Sequence, residues 1–282
     1  MIAYSTVIMK SLFPYYGGRF FQLKDIIGIL NEHRDSFDVV VDVFGGSGKV
    51  LLNIPDEWKV VKVYNDLNDS LYTTFKVLQN PSKRRLLERK LRMAFPHEKV
   101  FRELKAAHPG SDVDVAFKTI YLHTFSYAST GTAFKRLYKR AHIPVFRFDS
   151  FMEVKNWIVE NKDFRELMTI YNKPRVLLYL DPPYLNGGKV YRYSFKIDDF
   201  WDLKKKIDEH SGSYLLNLSM NDPEMIEIFG KPIRVTDHFR PTTKGTYENG
   251  NRWGGGTGGS SVEKWKSTRG KIYFEGNDIN WR

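Results

Sequence analysis

The sequence predicts an α/β fold: a sheet with helices on both faces, interrupted by a mainly helical insertion. Three observations lead there. Short apolar, β-branched runs alternate with amphipathic segments, the pattern of buried strands joined by helices. Between about Pro81 and Ala141 the alternation stops and a basic, helical stretch takes over. At 282 residues with 41% hydrophobic side chains, the chain is long enough for one sizeable domain with an insertion, or for two small ones.

The predicted strands come first. Asp38 to Phe44 (DVVVDVF) is a β-branched run suited to a buried parallel strand. Trp58 to Tyr64, His142 to Phe148, Arg175 to Leu180 and Tyr214 to Leu218 read the same way, and Lys271 to Gly276 reads as a last strand. Helices follow from spacing: Leu23, Ile26, Ile27 and Leu30 share one face, as do Phe200, Leu203 and Ile207. In the insertion, Lys83, Arg84, Arg85, Arg89, Lys90 and Arg92 crowd one short stretch. Val115 to Phe148 contains no acidic residue, and its Lys and Arg alternate with Tyr and Phe. Phe117, Tyr121 and Phe125 have helical spacing and read as core. The tract Gly245 to Ser261 is rich in glycine and reads as a loop.

Composition narrows the function classes. A net charge of +11 suits a polyanionic partner or simple solubility. The absence of cysteine excludes disulfides, zinc ribbons and thiolate nucleophiles. Seven scattered histidines give no helical metal-site spacing, so no metal is expected. Met1 to Phe13 lacks the basic and apolar regions of a signal peptide, and no run approaches a membrane span; a cytoplasmic, nucleoid-associated chain is expected.

Two motifs carry chemistry. Gly45-Gly46-Ser47-Gly48 follows a strand and precedes a short helix, so the backbone can approach a nucleotide-like ligand. Asp42 ends that strand, and Asp66 ends the next, where an acid can bind ribose hydroxyls. A phosphate-binding P-loop fails because Val43 and Val50 stand where Gly and Ser/Thr are needed. A dinucleotide fingerprint lacks its third glycine, with Leu51 in that place. S-adenosylmethionine requires only the glycine turn and the acid; taken alone, the element is also compatible with an ordinary turn. The second motif is Asp181-Pro182-Pro183-Tyr184, directly after an apolar strand. Two prolines fix the backbone and remove two N–H groups. The platform offers a carboxylate, free carbonyls and a ring. Asp181 and the Pro182 carbonyl can accept both N–H bonds of an exocyclic amine while Tyr184 stacks on the base, which aims the lone pair at an electrophile.

With these residues in place the chain resembles the Dam-like (D12 class) N6-adenine DNA methyltransferases, with motifs in family order along nearly the whole length. Phe13 to Arg19 resembles the N-terminal aromatic–Gly-Gly–Lys element, although Arg19 stands for the usual Lys and Tyr15 for the more usual Trp. Asp42 to Gly48 resembles the cofactor loop, Tyr64 to Asn68 the ribose turn, and Phe148-Asp149-Ser150-Phe151 the acid–aromatic element that holds the cofactor's adenine. The resemblance implies a Rossmann-like S-adenosylmethionine-dependent methyltransferase sheet over 1–70 and 142–282, with a target-recognition insertion at 71–141. It implies cofactor contacts from Tyr15, Arg19, Phe44, Gly45, Gly46, Gly48, Asp66, Asp149, Phe151 and Asp181, and catalysis by Asp181, Pro182 and Tyr184. Duplex DNA would be held by Tyr127, Lys135, Arg136, Lys139 and Arg140, with the target adenine flipped out of the helix. A monomer is expected, with a cognate restriction endonuclease as a candidate partner. The rival readings are an RNA adenine-N6 or DNA cytosine-N4 methyltransferase, or an inactive nucleic-acid-binding protein on the same scaffold.

Overall fold

A computed structural model describes residues 9–16, 22–135, 146, 148–185, 195–219, 224–230, 234–241 and 265–276. Seven strands form one sheet: β1 (Val39–Asp42), β2 (Val61–Asn65), β3 (Ile158–Glu160), β4 (Val176–Leu180), β5 (Ser213–Ser219), β6 (Arg234–Pro241) and β7 (Trp265–Gly276). Their order is β3-β2-β1-β4-β5-β7-β6. The first five in that order are parallel, and β7 runs antiparallel to both β5 and β6. The chain starts at the centre with β1, moves outward through β2 and β3, then returns to β4 on the other side. The crevice between the C-terminal ends of β1 and β4 is therefore the switch point, where α/β sheets bind ligands. The reversed strand at β7 separates this order from the uniformly parallel dinucleotide-binding sheet.

Both faces of the parallel section are buried, which explains strands such as β4, where all five residues are buried. Val40, Leu177, Tyr179 and Leu215 face one core, shared with α1 (Leu23–Glu32), α2 (Lys49–Asn53) and α3 (Asp69–Gln79). Val41, Val63, Leu178 and Leu216 face the other, shared with α7 (Phe164–Ile170), α8 (Ile197–Asp208) and α9 (Glu224–Phe229). No helix among the described residues is long and apolar enough to cross a membrane.

The insertion is helical as expected: α4 (Pro81–Arg92), α5 (Glu98–Ala106) and α6 (Asp112–Thr124). Capping residues set its boundaries. Asn80 ends α3 and caps α4, its side chain accepting from the Ser82 and Lys83 amides with Pro81 at the first helical position. Ser111 caps α6 through the Asp114 amide. Tyr121 and Phe125 are buried in a small third core with Phe101 and Leu122, as their spacing predicts. Leu87, Leu91, Ala116 and Ile120, however, join the main core with Leu71 and Phe75. A division at residue 71 thus falls inside α3, and the insertion shares packing with the sheet.

Two expectations change, and a third falls outside the described residues. The predicted strand His142 to Phe148 does not supply β3; residues 142–145 and 147 lie outside the described residues, and Phe148 opens a 3₁₀ segment running to Asn156. The third strand is Ile158–Glu160, too short to announce itself by periodicity. The basic stretch on α4 is partly neutralised, because Lys83 pairs with Asp112 and Lys90 with Asp114, while Arg84 is buried and donates to the Leu78 carbonyl. The glycine-rich tract 245–261 lies outside the described residues.

Candidate active site

Everything at the switch point is organised around the turn after β1. Gly45 donates its amide to the Asn65 carbonyl at 2.7 Å, and a Cβ there would lie 2.3 Å from the Tyr64 ring. Only glycine allows this approach. Gly48, at φ +66°, starts α2 against Phe75 and Trp157. Tyr64 holds the turn from below: its ring stacks on Phe75 at 3.8 Å and its hydroxyl donates to the Gly46 carbonyl at 2.8 Å.

Asp66 closes the turn from the β2 side. One carboxylate oxygen accepts the Gly46 amide at 2.9 Å and the other accepts the Asn68 amide at 2.8 Å. Each oxygen retains a second lone pair. Asn65, buried beside it, ties two loops together: its amide donates to the Val43 and Lys162 carbonyls, and its oxygen accepts the Lys162 amide. The end of β1 and the loop after β3 are thereby held at fixed separation.

These elements surround a cavity of about 250 Å³. Of the residues expected at a cofactor site, Tyr15, Phe44, Gly46, Asp66 and Asp181 line it, and Pro183 of the Asp-Pro-Pro-Tyr platform lines it too. Gly45 and Gly48 shape the turn behind the wall. Pro182 is buried and Tyr184 half-buried beside Pro183. Arg19 lies outside the described residues, as do Arg136, Lys139 and Arg140. Tyr127 and Lys135 are exposed on the insertion.

Asp149 and Phe151 are not in the cavity wall. Asp149 is exposed on the 3₁₀ segment, and Phe151 is fully buried in the core against Phe148. The acid–aromatic pair that does line the cavity is Asp163-Phe164, where the loop after β3 enters α7. Asp163 caps α7 by accepting the Arg165 amide, and Phe164 packs with Phe44 and Phe195 at ring separations of 5.3 to 5.8 Å. The signal was present in the sequence, since Asp163 precedes Glu166 by three residues at the head of an apolar-periodic helix. The more apolar run ending at Phe148, followed at once by an acid, masked it.

Negative charge collects at the strand ends. Asp42 is buried, and its Oδ1 has no hydrogen-bond partner among the described residues. Burial pushes its carboxyl well above the usual carboxylate range, and the nearby Asp181 and Asp66 carboxylates push it further. Burial also raises Asp66, to about 6, against the pull of its two backbone amides. Burial and the Asp66 charge raise the Tyr15 hydroxyl. The two basic residues on the wall are already engaged: Lys162 with Glu166, and Arg165 with Asp163, Asp199 and Asp202. Such a cavity favours a ligand with positive charge near Asp66 and Asp181, and disfavours a pyrophosphate there.

The chain matches no protein-family model, and no curated protein is similar to it at a significant level.

Proposed function

We propose that this chain is a methyltransferase with a methyltransferase-type sheet, using S-adenosylmethionine to methylate the N6 amine of adenine in DNA. The observation that carries the reading is the meeting of Gly46 and Asp66 with Asp181 and Pro183 on the walls of one acid-rich cavity at the switch point. A group with a sulfonium and an ammonium fits the acidic wall that includes Asp181 and Asp66, and its ribose fits the free lone pairs of Asp66. Phe44, Phe164 and Phe195 offer ring surfaces for a purine, with Asp163 at their edge. When bound, the cofactor supplies an electrophilic methyl group.

The residues of the chain do the positioning. Asp181 accepts an N–H of the target amine and holds its lone pair out of conjugation with the ring. Pro182 and Pro183 fix the backbone so that the carboxylate does not wander. Phosphate attraction comes from the net charge of +11, with Tyr127 and Lys135 exposed on the insertion. Reaching the cavity requires the adenine to leave the stack.

The test is methyl transfer from labelled S-adenosylmethionine, followed by digestion of the product to nucleosides. Label in N6-methyladenine from DNA is expected. Label confined to RNA, or to N4 of cytosine, would move the substrate to a rival reading. Failure of calorimetry to detect binding of S-adenosylhomocysteine would remove the cofactor.

Two further results are expected here. Asp163→Asn should weaken S-adenosylhomocysteine binding on the order of tenfold, a loss of one charged hydrogen-bond acceptor, while retaining the helix cap. Asp149→Asn should leave it unchanged; equal effects would return the acid–aromatic role to Asp149. Binding should also depend on pH. The fold raises the Asp66 carboxyl to about 6, so it favours the protonated form, and the stability this lends fades as pH rises through that value. Ribose hydroxyls need the ionised acceptor, so affinity should fall in the opposite sense, roughly tenfold for each unit below 6. In Asp66→Asn that part of the profile should vanish, leaving any contribution from Asp42 and Asp181.

A further inference from the structure

The turn at Ser126–Gly131 is under backbone strain. Ala128 and Ser129 both have positive φ, +50° and +56°, without being glycine. Such a residue is strained and persists only where its surroundings enforce it. Hydrogen bonds within the turn hold it locally, and two contacts from outside it meet on one atom. The Ser129 carbonyl accepts the Tyr16 amide at 3.1 Å and lies 2.8 Å from Nδ1 of His123 on α6. A carbonyl only accepts, so Nδ1 carries the proton. Burial lowers the His123 pKa, which keeps the imidazole neutral at physiological pH.

His123 also faces the cavity wall. Its ring packs on Tyr15 at 4.6 Å between centroids, with Phe13 at 6.4 Å, and the path of Gly131 passes directly over it, where a Cβ would lie 3.3 Å from Cε1. Tyr15 in turn covers Gly46, the residue whose amide meets Asp66. At the other end of the turn stands Tyr127, half exposed. One continuous set of contacts therefore joins the cavity wall, the strained turn and the exposed ring of the insertion.

We propose that His123 is a positioning residue that, through the Ser129 carbonyl, couples occupancy of the cavity to presentation of the Tyr127 turn toward nucleic acid. The inference rests on the methyltransferase reading for its two ligands. A ligand that fixes Tyr15 and Tyr16 fixes the Ser129 carbonyl, and with it the two strained residues next to Tyr127. By linkage the effect is reciprocal: nucleic acid seated on the turn tightens the cofactor by the same factor. The wall residue and the turn are both held by His123, but by different parts of it, which makes the claim separable. The ring supports Tyr15, and the Nδ1 proton holds Ser129.

Two variants divide these parts. His123→Phe keeps a ring against Tyr15 and loses the donor. His123→Asn loses the ring and keeps an N–H close to the Nδ1 position. The full-length chain is titrated with a random-sequence DNA duplex, with and without saturating S-adenosylhomocysteine. The wild-type protein is expected to bind DNA about tenfold more tightly with the cofactor product present, within the usual range of coupling between sites. His123→Phe should reduce that ratio to below about twofold with S-adenosylhomocysteine affinity itself little changed, and His123→Asn should retain it. Hydrogen exchange should show loss of protection at the Tyr16 amide in His123→Phe alone. Equal ratios in wild type and His123→Phe would overturn the coupling, as would loss in both variants, which marks a merely structural role. Absence of S-adenosylhomocysteine binding in the wild type overturns the functional reading and this inference with it. Absence of coupling in a wild type that binds both ligands overturns the inference alone.

Discussion

Asp181→Ala is expected to lower kcat for methyl transfer by a factor on the order of 10²–10³, the cost of removing one oriented hydrogen-bonding group from a reacting centre. That factor corresponds to about 3–4 kcal/mol of transition-state stabilisation. The effect is positional. Asp181 follows β4 directly and is held by two prolines, so its carboxylate is delivered by the sheet and not by a loop. Without it the amine keeps its lone pair conjugated with the base and has no fixed approach to the methyl group. Binding should respond differently. Removing Asp181 also removes one of the two charges that raise Asp42, so Asp42 should ionise more readily behind the cavity wall, while Asp66 remains on it. S-adenosylhomocysteine and DNA affinities should therefore stay within a few-fold of the wild type. Single-turnover rates and calorimetry make the comparison; a variant that methylates at the normal rate would dispose of the amine-orienting role.

Gly45→Ala should be the most damaging small change to the fold near the site. The added methyl would sit 2.3 Å from the Tyr64 ring and 2.9 Å from the Asn65 carbonyl. Tyr64 has nowhere to go: it is fully buried, stacked on Phe75 and bonded to the Gly46 carbonyl. Overpacking of this kind costs about 2–3 kcal/mol, enough to lower the melting temperature by roughly 5–10 °C in a chain of this size. Because Gly46 and Asp66 move with the turn, cofactor affinity should fall as well. Gly28→Ala is the control. Its Cβ meets nothing within 4 Å, and a helix-interior glycine replaced by alanine should gain about 0.5 kcal/mol. Thermal melts of the pair decide the matter; equal melting temperatures would mean the turn yields easily.

The parts of the fold that were legible in the sequence are those written in residues close together. The β-branched run ending at Asp42, the apolar run ending at Leu180 and the glycine turn each carry their geometry locally. The cap Asn80-Pro81 likewise marks where α3 gives way to α4. The third strand was not legible, because three residues of mixed character sustain no period, and a better apolar run lies just upstream. That Asp163 and Phe164, and not Asp149 and Phe151, line the cavity was hidden for the same reason: locating them depends on locating β3. Asn65 was invisible in another way. Its bonds reach Lys162, far along the chain, and only the sheet brings the two together. The pairing of Lys83 with Asp112 and of Lys90 with Asp114 is likewise tertiary, so a sequence count overstates the free positive charge of α4.

The way the insertion packs sets terms for exchanging it. Leu87, Leu91, Ala116 and Ile120 are shared property with the sheet's own core, whereas Phe101, Tyr121, Leu122 and Phe125 form a compact nucleus of their own. A graft cut at residues 71 and 141 would tear α3 in its first turn, immediately after Asn68, which both caps that helix and lines the cavity. Junctions placed in the connection after α4 instead keep Leu87 and Leu91 with the host, while Ala116 and Ile120 travel with α6 and must be matched to the host core. The seam for any exchange therefore runs along α6, whose one side belongs to the sheet's core and whose other side belongs to the smaller nucleus.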